Sequence, residues 1–294
     1  MRSLPYRLVD VFTTEPLAGN ALAVFSDAAG IDEHVMQKIA REMNLAETTF
    51  VLPASSPTYA AQVRIFTPRR EMVFAGHPTI GTSFVLLEEG RVPVTEQTFT
   101  LEEKIGPVPI WAEDGAEGTI WLRTPPITEG KQYPPDLCAR VLGLSKRELL
   151  PLPPQLLSAG NPTLFVALRD EVAVDRAWLD QQGANALRGE EPDPFCVFVF
   201  CRTKEGAYSR MFAPDYGVPE DPATGSSTGP LAIFLMKHGL LSSTETTRFT
   251  SEQGTKMGRR SLLHVRIEGR SGCDGIYVGG QVTPIAQGTM KLQV

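Results

Sequence analysis

Short apolar runs broken by turn residues fill the chain, and two periods stand out. Period two marks strands. In AQVRIF, Ala61, Val63 and Ile65 share one face and Gln62, Arg64 and Phe66 the other. YRLVDVF (6–12), ALAVF (21–25) after Gly19-Asn20, and TTFVL (48–52) read as further strands. A period near 3.6 marks IDEHVMQKIAREMN (31–44) as a helix. Val35, Met36, Ile39 and Met43 form its apolar stripe, Asp32 can cap it, and Ile31 can staple onto Met36. PTIGTSFVLLEE (78–89) predicts a second helix, with Pro78 suited to a first helical position and Gly90 to a C-terminal cap. The strands TFTLEE, VPIWA and TIWLRT close the first half.

A proline-rich stretch from Thr124 to Pro154, holding a short helical segment Asp136–Leu142, opens the second half. There LFVAL follows Gly160-Asn161, and a helix is expected near Val174–Gln181. PFCVFVFC and AYSRMF are strands, Ser226–His238 is a helix ending at Gly239, and RFTS, LLHVRI, GIYVGGQV and TMKLQV are the last strands. Three anchors repeat in order. Gly19-Asn20 matches Gly160-Asn161 at an offset of 141, and Phe66-Thr67-Pro68 matches Phe212-Ala213-Pro214 at 146. Gly76–Thr82 matches Glu220–Ser226 at 144. Their order and near-constant spacing predict a duplicated domain.

Composition narrows the class. At 294 residues the chain can bury about three quarters of its unfolded surface without disulfides or metal. Its net charge of −6, with no basic cluster beyond Arg69-Arg70 and Arg259-Arg260, argues against a nucleic-acid partner. No run approaches the ~20 apolar residues of a membrane helix, and the first residues carry no apolar stretch of signal-peptide length. The expectation is a cytoplasmic protein with no membrane partner. Cys138, Cys196, Cys201 and Cys273 show no CxxC spacing. Cys196 and Cys201, an odd number apart in one strand, are expected on opposite faces and buried. The four histidines form no metal-binding pair, and no nucleotide-binding glycine motif is present. No metal and no cofactor are therefore expected.

The chemistry is expected at two helix N-termini, where unpaired N–H groups and the helix dipole attract anions. His77 stands before the helix at Pro78, and Asp221 holds the matching loop in the second half. A small carboxylate held by both helix starts would leave His77 and Asp221 to contact the rest of the ligand. Capping is the plainer role for Asp221, and a satisfied loop histidine the plainer role for His77. Glu47, at the mouth of an apolar strand, is a third candidate, because a partly desolvated carboxyl suits proton transfer. Nothing in the pattern itself favours it over Glu42 or Glu71. Gly225-Ser226-Ser227-Thr228-Gly229 fits the G-x-S-x-G elbow of serine hydrolases. No acid followed by a histidine is suitably placed after it, so Ser226 and Ser227 read better as groups at a helix N-terminus.

REMNLAETTFVL, RIFTPRREMVFAGHPTIGT and SRMFAPDYGVPEDPATGSSTGPLA resemble the PhzF family of phenazine biosynthesis isomerases, as do SEQGTKMGRRS and VGGQV near the C-terminus. The resemblance runs over nearly the whole chain. It implies an α+β fold like that of diaminopimelate epimerase, in which two pseudo-symmetric domains each curl a sheet around a central helix. It places the halves at 1–124 and 125–286, with the C-terminal strand 287–294 as a candidate completion of the first and the active site in the cleft between them. It implies a homodimer. It assigns Glu47 as catalytic general acid/base, His77, Asp221 and Ser226 as substrate-binding, and Gly76 and Gly225 as points of close backbone approach. The implied reaction is a cofactor-free proton shift in a small cyclic carboxylate, with trans-2,3-dihydro-3-hydroxyanthranilate as the foremost substrate. An isomerase or epimerase of another amino or hydroxy acid, or a non-catalytic binding protein of the same fold, are the alternatives. The related epimerases use two opposed thiols, and none of the four cysteines falls in the matching loops.

Overall fold

The computed structural model describes residues 2–93, 97–189, 193–242, 246–269, 272 and 275–292. The chain divides into two compact units, one of Met1–Arg123 with Gly279–Val294 and one of Thr124–Val278.

The first unit runs β1 (Arg2–Val11), β2 (Asn20–Phe25), α1 (Glu33–Met43), β3 (Glu47–Leu52), β4 (Ala61–Phe66), β5 (Glu71–Met72), α2 (Gly76–Glu88), β6 (Thr98–Glu103), β7 (Gly106–Ala112) and β8 (Ile120–Arg123). The second runs β9 (Thr128–Gln132), α3 (Pro135–Val141), β10 (Gln155–Ser158), β11 (Pro162–Ala167), α4 (Glu171–Arg176), α5 (Gln181–Arg188), β12 (Cys196–Arg202), β13 (Gly206–Ala213), β14 (Val218–Asp221), α6 (Gly225–Lys237), β15 (Thr246–Gln253) and β16 (Ser261–Glu268). β17 (Gly275–Gly280) leads back to the first unit, where β18 (Val282–Leu292) pairs antiparallel with β1.

Pairing repeats between the units. β2 and β3 are parallel, as are β4 and β6, with α1 and α2 as the crossovers. In the second unit β11 pairs parallel with β12, and β13 with β15. The helices α2 and α6 have the same length and are buried on nearly every side. A helix apolar all round can only be a core helix, and α2 packs on β1, β2, β3, β8 and β18. Gly81 makes this closeness possible, since a Cβ there would lie 2.6 Å from Leu22. α1 covers the opposite face. Ile31, Met36 and Ile39 pack there with Phe25, Phe50 and Phe66, whose rings stack and meet edge to face.

The chain departs from the sequence expectation in several places. α2 and α6 begin at Gly76 and Gly225, so Pro78 is the third helical residue, still within the turn that needs no N–H donor. Gly90, at φ +66°, does follow the end of α2, and Arg91 N–H closes onto Leu86 O. The helix expected over Val174–Gln181 is instead two, α4 and α5, because Asp170 and Asp180 each cap a new start by accepting from Ala173 and Gly183. β9 is exposed and polar throughout, so no alternation announced it, and its pairing with β10 creates it. Cys138, Cys196 and Cys201 are buried, and burial pushes Cys138 and Cys201 up to about 12. Cys201 joins the cluster beneath α3–α5, and Cys196 stays outside that cluster. Cys273 lies outside the described residues.

The repeat itself has a different register from the one read at Gly76–Thr82. The helices match at an offset of 149 (225 − 76), so His77 corresponds to Ser226 and Asp221 to Met72. Arg64 binds Glu71 at 2.7 Å and lies over Phe66. Arg210 binds Glu220 at 2.8 Å and lies over Phe212, the same brace at 146 and 149. Three extra residues between Phe212 and Glu220 account for the change in offset.

Candidate functional site

Glu47 and His77 come together in the first unit. β3 has its phenylalanine Phe50 in the cluster under α1, so Glu47, Thr49 and Val51 take the α2 side. Thr49 meets Thr82 of α2 at 2.9 Å. Glu47, at the strand start, reaches the first turn of the same helix, where its Oε2 lies 3.4 Å from His77 Nε2. The Glu47 side chain keeps 14% of its exposure and the His77 ring 3%.

His77 is neutral. Burial pushes it down to about 3. The amide Nδ2 of Asn20 lies 3.1 Å from its Nδ1. An amide nitrogen only donates, so Nδ1 accepts and the ring proton sits on Nε2, facing Glu47. Asn20 is buried and starts β2. It follows Gly19, at φ +65°, where a Cβ would sit 2.4 Å from Val11 O. Only glycine fits there, and it swings Asn20 under the helix. The sequence showed Gly19-Asn20 as a repeat anchor only. A polar residue bound to an obligatory glycine at the start of a buried strand was the signal for its second role.

Asp221 and Ser226 belong to the second unit. Asp221 ends β14, buried at 4% exposure, and its Oδ2 accepts from the Thr224 hydroxyl at 2.5 Å. Thr224 is the N-cap of α6, and Gly225 and Ser226 open the helix. Asp221 therefore does not cap α6 as a helix-adjacent residue would; it stands four residues before the first helical one and meets the cap through Thr224. Ser226 is buried at 5%. Ser227 is buried within α6 and bonded to Thr163 at 2.8 Å. It is not on a strand-to-helix elbow, which removes the serine hydrolase reading. Gly76 opens α2 behind Ala75, an N-cap without a side-chain bond. At neither helix start does the N-cap side chain bond a first-turn amide.

Two units of one repeated α+β plan, each winding strands around a buried central helix with polar groups at its N-terminus, make a fold of the diaminopimelate epimerase class. Residues 9–288 match the family described as phenazine biosynthesis-like protein, PhzC-PhzF. The chain is 36% identical to a trans-2,3-dihydro-3-hydroxyanthranilate isomerase of Pseudomonas aeruginosa, over 98% of this chain and 99% of that protein. It is also 36% identical to an uncharacterized isomerase of Mesorhizobium japonicum, over 99% of both. The crystal structure of a Bacillus anthracis phenazine biosynthesis protein of the PhzF family superposes with a TM-score of 0.87 at 25% identity, covering 99% of this chain and all of that one. The chain belongs to the phenazine biosynthesis-like family, and it is a PhzF-like isomerase. Among the described residues no helix is long and apolar enough to cross a membrane.

Proposed function

We propose that the protein moves a proton within a small cyclic carboxylate without a cofactor, with Glu47 as the general acid/base. The observation that carries this reading is the contact of Glu47 with a buried, neutral His77. A carboxylate beside a protonated histidine would be held in an ion pair. Beside a neutral Nε2–H it keeps the freedom to take and return a proton.

The foremost substrate is trans-2,3-dihydro-3-hydroxyanthranilate, which the name of the Pseudomonas aeruginosa relative supports. Glu47 would remove the proton from C3 and return it elsewhere on the same face of the diene. The resulting enol then tautomerises to the ketone, so atoms and electrons balance within one molecule. His77 Nε2–H would donate to the substrate. The amides of Gly76 and Gly225 offer donors for its carboxylate, and Asp221 and Ser226 hold its polar groups. The proposal requires groups of both units to act on one substrate molecule. A second reading, an isomerase of another amino or hydroxy acid, draws support from the equal identity to the uncharacterized Mesorhizobium japonicum isomerase.

Proton NMR of the protein with trans-2,3-dihydro-3-hydroxyanthranilate in D2O tests the first reading. Consumption with deuterium in the product is the expected result. An unchanged spectrum would shift the substrate to the second class.

A further inference from the structure

The motif Ser251–Ser261 holds a residue with no assigned role. Gln253 ends β15 with 0% exposure. Its Oε1 accepts the backbone N–H of Thr224 at 3.1 Å. Its Nε2 donates to the carbonyl of Asp221 at 2.7 Å and to the Thr224 hydroxyl at 3.0 Å. One amide thus clamps both ends of the turn between Asp221 and α6. Gly254, next in the chain at φ +77°, presses the strand end on the same turn. A Cβ there would lie 2.6 Å from Pro222 O and 2.3 Å from Arg259 O. No other residue allows this approach.

The direction of these bonds matters. The Thr224 hydroxyl has one hydrogen and receives another from Gln253 Nε2. Its own hydrogen is therefore left for Asp221 Oδ2, 2.5 Å away. Were Gln253 an acceptor at that position, Thr224 would turn its hydrogen toward it and leave Asp221 without the bond.

We infer that Gln253 is a positioning residue, which acts through Thr224 to fix the Asp221 carboxylate for substrate. This rests on the role proposed for Asp221. In the first unit Glu103 ends β6 as Gln253 ends β15, but it touches Thr79, four residues past the N-cap Ala75, whereas Gln253 holds the N-cap Thr224 itself. The clamp on the cap belongs to the second unit, where the neighbouring strand ends in Asp221 rather than Met72.

The experiment is a double-mutant cycle on the full chain, with Gln253→Met, Thr224→Val and the pair together. Each single change is expected to lower kcat/KM about tenfold or more, as loss of a hydrogen bond to a charged group does. The pair should lose no more than Thr224→Val alone, and Thr224→Ser should recover most of the loss. Losses that multiply would show two independent structural effects and overturn the inference. The Asp221 Cγ resonance gives a second readout that needs no turnover. It should move by the same amount in Gln253→Met and Thr224→Val, and an unmoved signal in Gln253→Met overturns the inference. A wild-type protein that leaves the substrate untouched while the resonance moves as expected would sink the proposed reaction and keep Gln253 as the residue that orients Asp221. Should Gln253→Met fail to fold, Thr224→Val and Thr224→Ser carry the same resonance test on the last link of the chain: an Asp221 signal that does not move in Thr224→Val overturns it.

Discussion

The carboxyl of Glu103 lies 2.6 Å from the hydroxyl of Thr79, and that hydroxyl lies 2.7 Å from the carbonyl of Ala75. Thr79 has a single hydrogen. Glu103 Oε1 and Ala75 O both lie within reach of it as acceptors. Burial pushes Glu103 up to about 8 against the opposing pull of the Thr79 bond, so the acid is neutral at pH 7. A buried acid thus holds the first turn of the helix that carries His77.

Keeping Glu103 protonated costs stability. Its ordinary value is 4.5 and its folded value about 8, so the fold binds the extra proton between those limits. Stability from this group is full below pH 4.5 and declines as pH rises toward 8. At pH 7 the cost is about 3 kcal/mol. Glu103→Gln keeps the donor and needs no proton. The expected outcome is a higher Tm than the parent at pH 7–8 and a difference that vanishes near pH 4.5, read by calorimetry.

His77 works in the opposite sense. Its folded value of about 3 lies below the ordinary 6.5, so the unfolded chain binds more protons. Its contribution is complete above pH 6.5 and is lost as pH falls toward 3. Between 4.5 and 6.5 the two groups offset each other. Denaturant unfolding of His77→Gln across pH 3–8 should show a shallower acid decline than the parent, and an equal slope would contradict the neutral buried ring.

Asn20 sets which nitrogen of His77 carries the proton. Asn20→Leu removes that donor and leaves Nδ1 buried and unsatisfied, at about 1–3 kcal/mol. Asn20→Asp replaces a donor with an acceptor, draws the proton to Nδ1 and takes it from the side facing Glu47. Turnover is expected to fall further in Asn20→Asp than stability alone accounts for. The 15N shifts of the imidazole report the tautomer directly.

Glu47→Gln retains shape and loses the carboxyl proposed to transfer the proton. Turnover should drop by about 10²–10⁴, the usual share of general acid–base catalysis, with ligand-induced thermal stabilisation preserved. Unchanged turnover would remove Glu47 from the mechanism.

The strands and helices that bury one face were legible because burial writes itself as period. AQVRIF alternates, and α1 shows its stripe, its cap and its staple in the sequence. The central helices were found as apolar runs but misplaced by one or two residues at their starts, since Ala75 and Thr224 make no side-chain cap bond to announce the N-terminus. β9, exposed at all five positions, left no pattern, because backbone pairing with β10 rather than side-chain burial forms it.

For the site, residue types and family motifs singled out Glu47, His77, Asp221 and Ser226. The tertiary structure decided how each is held. Asn20 lies 57 positions from His77, and Gln253 lies 32 from Asp221. Local sequence determines which elements form and which residues could do chemistry, because propensity and burial act over a few neighbours. The tautomer of His77 and the aim of the Thr224 hydroxyl depend on donors brought in by distant strands, and the neutrality of Glu103 on its burial. Only folding, by excluding water and supplying those partners, gives a side chain its protonation and direction.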